Sequence, residues 1–389
     1  MTKTAEAVVI GGGVMGTSIL YNLAMRGIKG VLLEKSNLGA GGTGRSSGLI
    51  RMHYSTEVLG RLAWESFHVF KDWENRVGGD APQFIKTGFM AIAGPDEAEG
   101  LRHNLELSKR IGVDTYEVSL KEAAELAPAF EFNEGEVVAW EPESGHGDPS
   151  GTAMSFAARA RELGAQVIVE SPVTSIETDG GRVTGVNTAN ERYESPIVIV
   201  AAGPWTPTLL SGIGVDIPIT CTRHEVFFIK RKLEAVPNHP GGVDVANLVY
   251  FRPEGVDLTL VGNGNVEQAA DPDNYNPKPT MSYLEDVWLR LAKRIPGIAD
   301  GEFFTGYAGL YDSSPDEHPI VDAVDGVDGL YVCAGFSGHG FKESPAVGAC
   351  MAELVTGGAA KTVDIVPLRM GRFKDGTLNT ISYKFKVIA

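Results

Sequence analysis

Residues whose types and spacing suit chemistry lie in two glycine-rich segments near opposite ends of the sequence. In the first, Gly11-x-Gly13-x-x-Gly16, one glycine permits a tight turn and the next lets a diphosphate approach backbone N–H groups at a helix start. The third lets that helix pack closely on a strand. Glu34 follows at the distance where a carboxylate accepts from a ribose hydroxyl, and its charge repels a ribose phosphate, leaving FAD or NAD rather than NADP. The second segment, Gly335-Phe336-Ser337-Gly338-His339-Gly340-Phe341-Lys342, offers backbone N–H groups to negative charge on a reduced ring. The plainer alternative is a strand-to-helix loop plugged by Phe336 and Phe341.

Other reactive residue types form weaker patterns. His53 and His339 could be proposed as general bases, but a dedicated base is not expected. Asp316 and Glu317, between Pro315 and Pro319, suit turn capping better than acid–base work. Cys221, Cys333 and Cys350 are scattered and form no CxxC, so reduced core thiols are expected, and no metal site.

The elements that must position these residues follow from apolar spacing. Ala7 to Ile10 reads as a strand feeding the first glycines, Ile19, Leu20, Leu23 and Ala24 recur at helical spacing, and Val31 to Leu33 is a second strand closed by Glu34. This is a βαβ unit. Glu57 to Val77 reads as helical, Phe84 to Ala93 as one strand, and Glu97 to Ile111 and Leu120 to Leu126 as helices. Asp148 to Leu163 is a further helix, and Val173 to Glu177 with Arg182 to Thr188 a hairpin. Glu225 to Ile229, Leu248 to Phe251 and Leu258 to Val261 suggest an antiparallel sheet, followed by a helix from Tyr283 to Arg294. Gly329 to Ala334 is a strand feeding the second glycine segment, ahead of a helix from Pro345 to Leu354. The segment after Thr362 gives no pattern.

Composition bounds the rest. With 389 residues, 43% apolar and 22% charged, the chain can form two or three compact units and enclose a cofactor. A formal charge of -16 disfavours nucleic acid, which needs clustered cations. No apolar run reaches the roughly 18 residues of a membrane span, and no leader pattern opens the chain, so a cytoplasmic location is expected.

Five runs together carry a family resemblance: Val9 to Gly16, Gly44-Arg45-Ser46-Ser47-Gly48-Leu49-Ile50-Arg51, Ala201-Ala202-Gly203-Pro204-Trp205, Pro315 to Pro319, and Ala334 to Lys342. Over nearly its whole length the chain resembles flavoproteins of the D-amino-acid oxidase superfamily, in the branch of sarcosine oxidase, dimethylglycine dehydrogenase and the L-proline dehydrogenase beta subunit. The resemblance implies FAD held by Gly11, Gly13, Val14, Met15 and Gly16, with Glu34 and Lys35 at the ribose. It places the Gly44, Arg45, Ser46 and Ser47 loop against the pyrophosphate and Val173 at adenine. Gly203, Trp205, Gly309, Gly338, His339, Gly340, Phe341 and Lys342 complete the implied cofactor contacts. Arg51 and Lys342 match residues that bind a substrate carboxylate, which suits a guanidinium fork and a cation, and Tyr311 matches a pocket tyrosine; these three are the implied catalytic residues. His224, Glu225 and Tyr250 are expected to face the same cavity, with Tyr250 on the substrate.

Two departures from the family pattern matter. Monomeric sarcosine oxidases attach FAD through a cysteine two residues before the matching tyrosine, where this chain has Gly309, so non-covalent FAD is expected. Where those enzymes have a lysine and a histidine, the strand Leu258 to Asn263 offers Thr259 and Asn263, which leaves dioxygen and an electron-accepting partner as equal alternatives.

The expected fold is therefore an α/β FAD-binding domain (Rossmann-like, of the glutathione-reductase type) from residues 1–83, 145–215 and 305–389. It interleaves with an α+β substrate domain on an antiparallel sheet from 84–144 and 216–304. The expected reaction is oxidation of the C–N bond of a small amino acid, N-methylated or otherwise secondary, to an imine that water hydrolyses. Alternatives are a proline, opine or glycine dehydrogenase, a 2-hydroxy-acid oxidase, or a non-catalytic flavin subunit, acting alone or in a homo- or hetero-oligomer.

Overall fold

The computed structural model describes residues 2–264, 268–381 and Tyr383; the closing run 384–389 lies outside the described residues. A six-stranded sheet runs in the order Gln166–Ile168, Gly30–Leu33, Ala7–Ile10, Val198–Val200, Leu330–Ala334, Ile320–Ala323. Its first five strands are parallel and the last is antiparallel. The strands read as unbroken apolar runs because both faces are covered. Ala7 and Val9 point into a helical layer that includes Val14–Met25 and Ser344–Gly357, while Val8 and Ile10 pack against Ile176, Val183 and Val186 of a four-stranded sheet.

The second large sheet has eight strands, ordered Glu302–Ser313, Thr220–Lys230, Leu258–Gly262, Val249–Glu254, Gly241–Asp244, Phe89–Ala93, Val137–Glu141, Tyr116–Val118. All neighbours are antiparallel except Gly241–Asp244 with Phe89–Ala93. Side chains alternate here too: Met90 and Ile92 face the helix Met281–Arg294, whereas Phe89, Ala91 and Ala93 join a cluster with Leu49 and Tyr250. Behind the sheet, Arg294 is fully buried and donates to Glu136 at 2.7 and 2.9 Å and to Asp244 at 2.7 Å.

Two sequence expectations change in detail. The run Phe84 to Ala93 is two strands, Phe84–Lys86 and Phe89–Ala93, in different sheets. The break falls at Gly88, which has φ +72° and sits against the Trp140 ring, where a Cβ would overlap. The strand Glu302–Ser313 crosses the expected boundary at 305 and pairs with Thr220–Lys230 throughout, so residues 305–313 extend the eight-stranded sheet.

Candidate active site

The chain leaves the parallel strands at their C-terminal ends and forms one wall of a cavity of about 530 Å³. Residues 10–13, 33–36 and 201–205 all follow such strand ends, where open α/β sheets bind ligands. The facing wall comes from the eight-stranded sheet through His224, Val226, Tyr250, Gly309 and Tyr311.

The first glycine segment makes the floor. Gly11 has φ +110°, and a Cβ there would lie 2.4 Å from the Ala201 carbonyl oxygen, so only glycine allows the strand-to-helix turn. Gly13 leaves open backbone beneath the loop carrying Thr43, whose hydroxyl accepts from the Val14 amide at 3.0 Å. Glu34 accepts from the Gly12 amide at 2.6 Å and the Ser36 amide at 2.8 Å, which fixes its carboxylate at the cavity end with lone pairs remaining for hydroxyl donors. Beside it, the Lys35 ammonium lies 3.6 Å from the Trp205 ring centre, and Asp273 accepts from both Lys35 and the Trp205 indole at 2.9 Å. Pro272 and Tyr275, flanking Asp273, also line the cavity, so this segment covers its Glu34 end.

At the other end, Ser47, Tyr250, Tyr311 and Gly338 are shared with a second cavity of about 30 Å³, which Arg51, His339 and Lys342 also line. Arg51 and Lys342 are 3% and 6% exposed. Lys342 donates to the His339 carbonyl at 3.0 Å, and the Arg51 guanidinium donates to the His53 carbonyl. Burial, then the neighbouring Arg51, pushes the Lys342 ammonium down to about 7, against an opposing pull from Glu343. His224 stacks on Tyr311 with ring centres 3.6 Å apart, and its Nε2 meets Thr222 Oγ1 at 2.8 Å. Burial pushes it down to about 3, so the ring is neutral, and its Nδ1 is buried at the large cavity with no hydrogen-bond partner among the described residues. A polar ligand is the natural partner for such an atom.

The second glycine segment divides its work. Gly338, Gly340 and Phe341 line the large cavity, while His339 and Lys342 line only the small one. Gly338 has φ +91°, and a Cβ there would overlap the Tyr311 ring. The Gly335 amide donates to Asp312 Oδ2 at 2.6 Å, and the Ser337 and His339 amides donate to carbonyls at 3.0 Å, so these three hold the turn.

The other expected cofactor residues largely converge. Met15, Arg45, Ser46, Val173, Gly203 and Gly309 line the large cavity with those already placed. Gly16 and Gly44 do not. Gly16 packs on the Gly11 carbonyl, and the Gly44 amide donates to the Gly39 carbonyl at 2.7 Å, so both shape the cradle from behind while Ala40 to Thr43 form its surface. Glu225 turns away from the cavity to pair with Arg223 at 2.5 Å and accept from Thr280. Thr259 and Asn263 are absent from both linings; Thr259 bonds His239 at 2.8 Å. Asp316 caps its turn by accepting from Ser314 and the His318 amide, and also forms a buried pair with Arg372 that no local pattern indicated. The structure adds Tyr54, whose ring lies beside Arg51, and Asp312.

A family profile described as FAD dependent oxidoreductase matches residues 6–354. The chain is 27% identical over 95% of its length to peroxisomal sarcosine oxidase of Mus musculus, covering 96% of that protein. It is 27% identical over 87% of its length to mitochondrial sarcosine dehydrogenase of Homo sapiens, of which it spans 38%. A solved structure of L-proline dehydrogenase from P. horikoshii superposes with TM-score 0.89 at 28% identity, covering 97% of this chain and all of that one. No helix among the described residues is long and apolar enough to cross a membrane.

Proposed function

The chain belongs to the FAD-dependent oxidoreductase family, and from that membership we propose that it oxidises the C–N bond of a small amino acid with a secondary nitrogen, giving an imine that water hydrolyses. The observation that carries the substrate class is the pairing of Arg51 and Lys342 in one small buried cavity that shares a wall with the large one. A guanidinium fork and an ammonium lining one cavity suit a carboxylate. A volume of about 30 Å³ suits a carboxylate group, with the rest of the substrate in the space bounded by Ser47, Tyr250, Tyr311 and Gly338. FAD, when bound in the large cavity, supplies the two-electron acceptor.

The residues of this chain bind and orient. Arg51 and Lys342 fix the carboxylate, and the stacked Tyr311 and His224 rings hold a rigid neutral wall, so the C–N bond is presented in a fixed pose. His53 is also pushed down to about 3, first by burial and then by Arg51. Neither neutral histidine is needed as a base if hydride leaves the uncharged amine. FAD is held non-covalently: position 309 is glycine, and burial raises the thiol of Cys333, which also lines the cavity, so it stays protonated and poorly nucleophilic. Sarcosine and proline, named in the relatives, are both secondary amines beside a carboxylate, which supports the same substrate class.

The test is the visible flavin band of the purified protein under anaerobic conditions, with sarcosine and then proline added before air. Bleaching by either supports the reading. Recovery in air marks an oxidase, and its absence a dehydrogenase that passes electrons to a partner. Failure of both secondary amines to bleach the flavin overturns the substrate assignment.

A further inference from the structure

We propose that Tyr383 is a positioning residue for Arg51, acting through His53, so that Tyr383 supports the substrate pocket from behind; this rests on the reading of Arg51 as the carboxylate anchor. Residues 51–54 belong to no helix or strand. With no ladder to hold them, their conformation depends on individual contacts. One is at Met52, whose amide donates to Glu141 Oε2 at 3.0 Å. Another is at His53, whose carbonyl accepts from the Arg51 guanidinium and whose Nε2 lies 2.7 Å from Tyr383 Oη. The His53 and Tyr383 rings also stack, with centres 5.9 Å apart and planes at 26°. The contact with Tyr383 thus helps to fix the residue whose carbonyl seats the Arg51 fork.

Tyr383 follows a tether at the Asp316 turn. Arg372 donates to both oxygens of Asp316 at 2.8 Å, and the Asn379 backbone amide donates to the same carboxylate at 3.1 Å. Arg372 and Asp316 side chains are each 1% exposed. Beyond this anchor, Tyr383 is 3% exposed and packs in one cluster with Leu49, Phe89, Val243 and Tyr250. Those four side chains also line the small cavity. Tyr383 thus touches the back of the pocket wall with its ring and the anchor's support with its hydroxyl.

The test uses the FAD-loaded protein and acetate as the carboxylate probe, read by perturbation of the flavin absorption band. Tyr383→Phe keeps the ring and removes the hydrogen bond. It is expected to weaken acetate about fivefold and to raise the KM of the amino-acid substrate similarly, with kcat and FAD content unchanged. Tyr383→Ala should weaken both further. Unchanged acetate affinity in Tyr383→Phe, or a fall in kcat and FAD content with no selective loss of acetate, overturns the proposal. Arg51→Ala separates the two levels: if it loses acetate while the Tyr383 variants do not, only the positioning role fails. If Arg51→Ala itself keeps acetate, the anchor reading fails and the positioning role falls with it.

Discussion

Arg51 and Lys342 lie against one aromatic ring: the guanidinium carbon is 4.5 Å and the ammonium 6.0 Å from the centre of Tyr54. A π-face attracts each cation but leaves their mutual repulsion in place. Burial first, and then the neighbouring Arg51, lowers the Lys342 ammonium against the pull of Glu343, and a carboxylate beside it would favour its charged form.

The first prediction is a pH dependence of anion binding. Lys342 is depressed to about 7, so it is charged below that value and neutral above it. Acetate affinity, read on the flavin band, should be greatest below pH 7 and fall as pH rises through it, levelling where Arg51 alone holds the anion. Bound acetate favours the charged lysine, so the complex loses its proton at higher pH than the free protein. Lys342→Met should bind more weakly and show no such step.

Truncating the guanidinium tests the anchor itself. Arg51→Ala should cost about 2–5 kcal/mol in kcat/KM for an amino-acid substrate, a factor of roughly 30 to several thousand. FAD content should stay at the wild-type level, because Arg51 lines only the small cavity. Arg51→Lys should recover little, since an ammonium lacks the planar fork.

Cofactor retention should depend on the cover over the Glu34 end. Asp273→Ala removes the carboxylate that joins Lys35 to the Trp205 indole. The cluster is solvent-exposed, so the expected effect is modest: release of FAD about two- to fivefold faster, followed by flavin fluorescence after dilution. An unchanged release rate would mean that Pro272 and Tyr275 keep the cover closed without Asp273.

Stability has a sharper dependence on the charge buried behind the eight-stranded sheet. Arg294→Met leaves Glu136 and Asp244 without their cation, which should destabilise the fold by about 3–5 kcal/mol in thermal or denaturant unfolding. At neutral pH the effect should be large, because, against the cost of burial, Arg294 holds the Glu136 carboxyl below its ordinary value and its loss leaves that charge uncompensated.

What the sequence disclosed follows the range of the interactions. The cradle from Gly11 to Glu34 was legible because its turn, helix and second strand lie within one local unit whose spacing is fixed by backbone geometry. Arg51, Tyr311 and Lys342 were singled out by resemblance, and the structure brings all three to the small cavity. Glu225 was misplaced because alternation in a strand decides which face a residue takes, and the bounds of Thr220–Lys230 were only partly foreseen. The link from Asp316 to Arg372 spans 56 positions, and the link from His53 to Tyr383 spans 330. Neither separation leaves a periodic trace, since only the closed fold brings those side chains together.

The strand Glu302–Ser313 gives Gly309, Leu310 and Asp312 to the larger cavity and Tyr311 to the wall shared by both. Its pairing with Thr220–Lys230, in which His224 stands opposite Gly309 and Thr222 opposite Tyr311, fixes their register. Point replacements along it can therefore retune the pocket one position at a time. A single inserted or deleted residue between Ala308 and Tyr311 would instead shift that register for the residues beyond it together, so variation among descendants of this chain is constrained to keep the length of that strand constant while its side chains change.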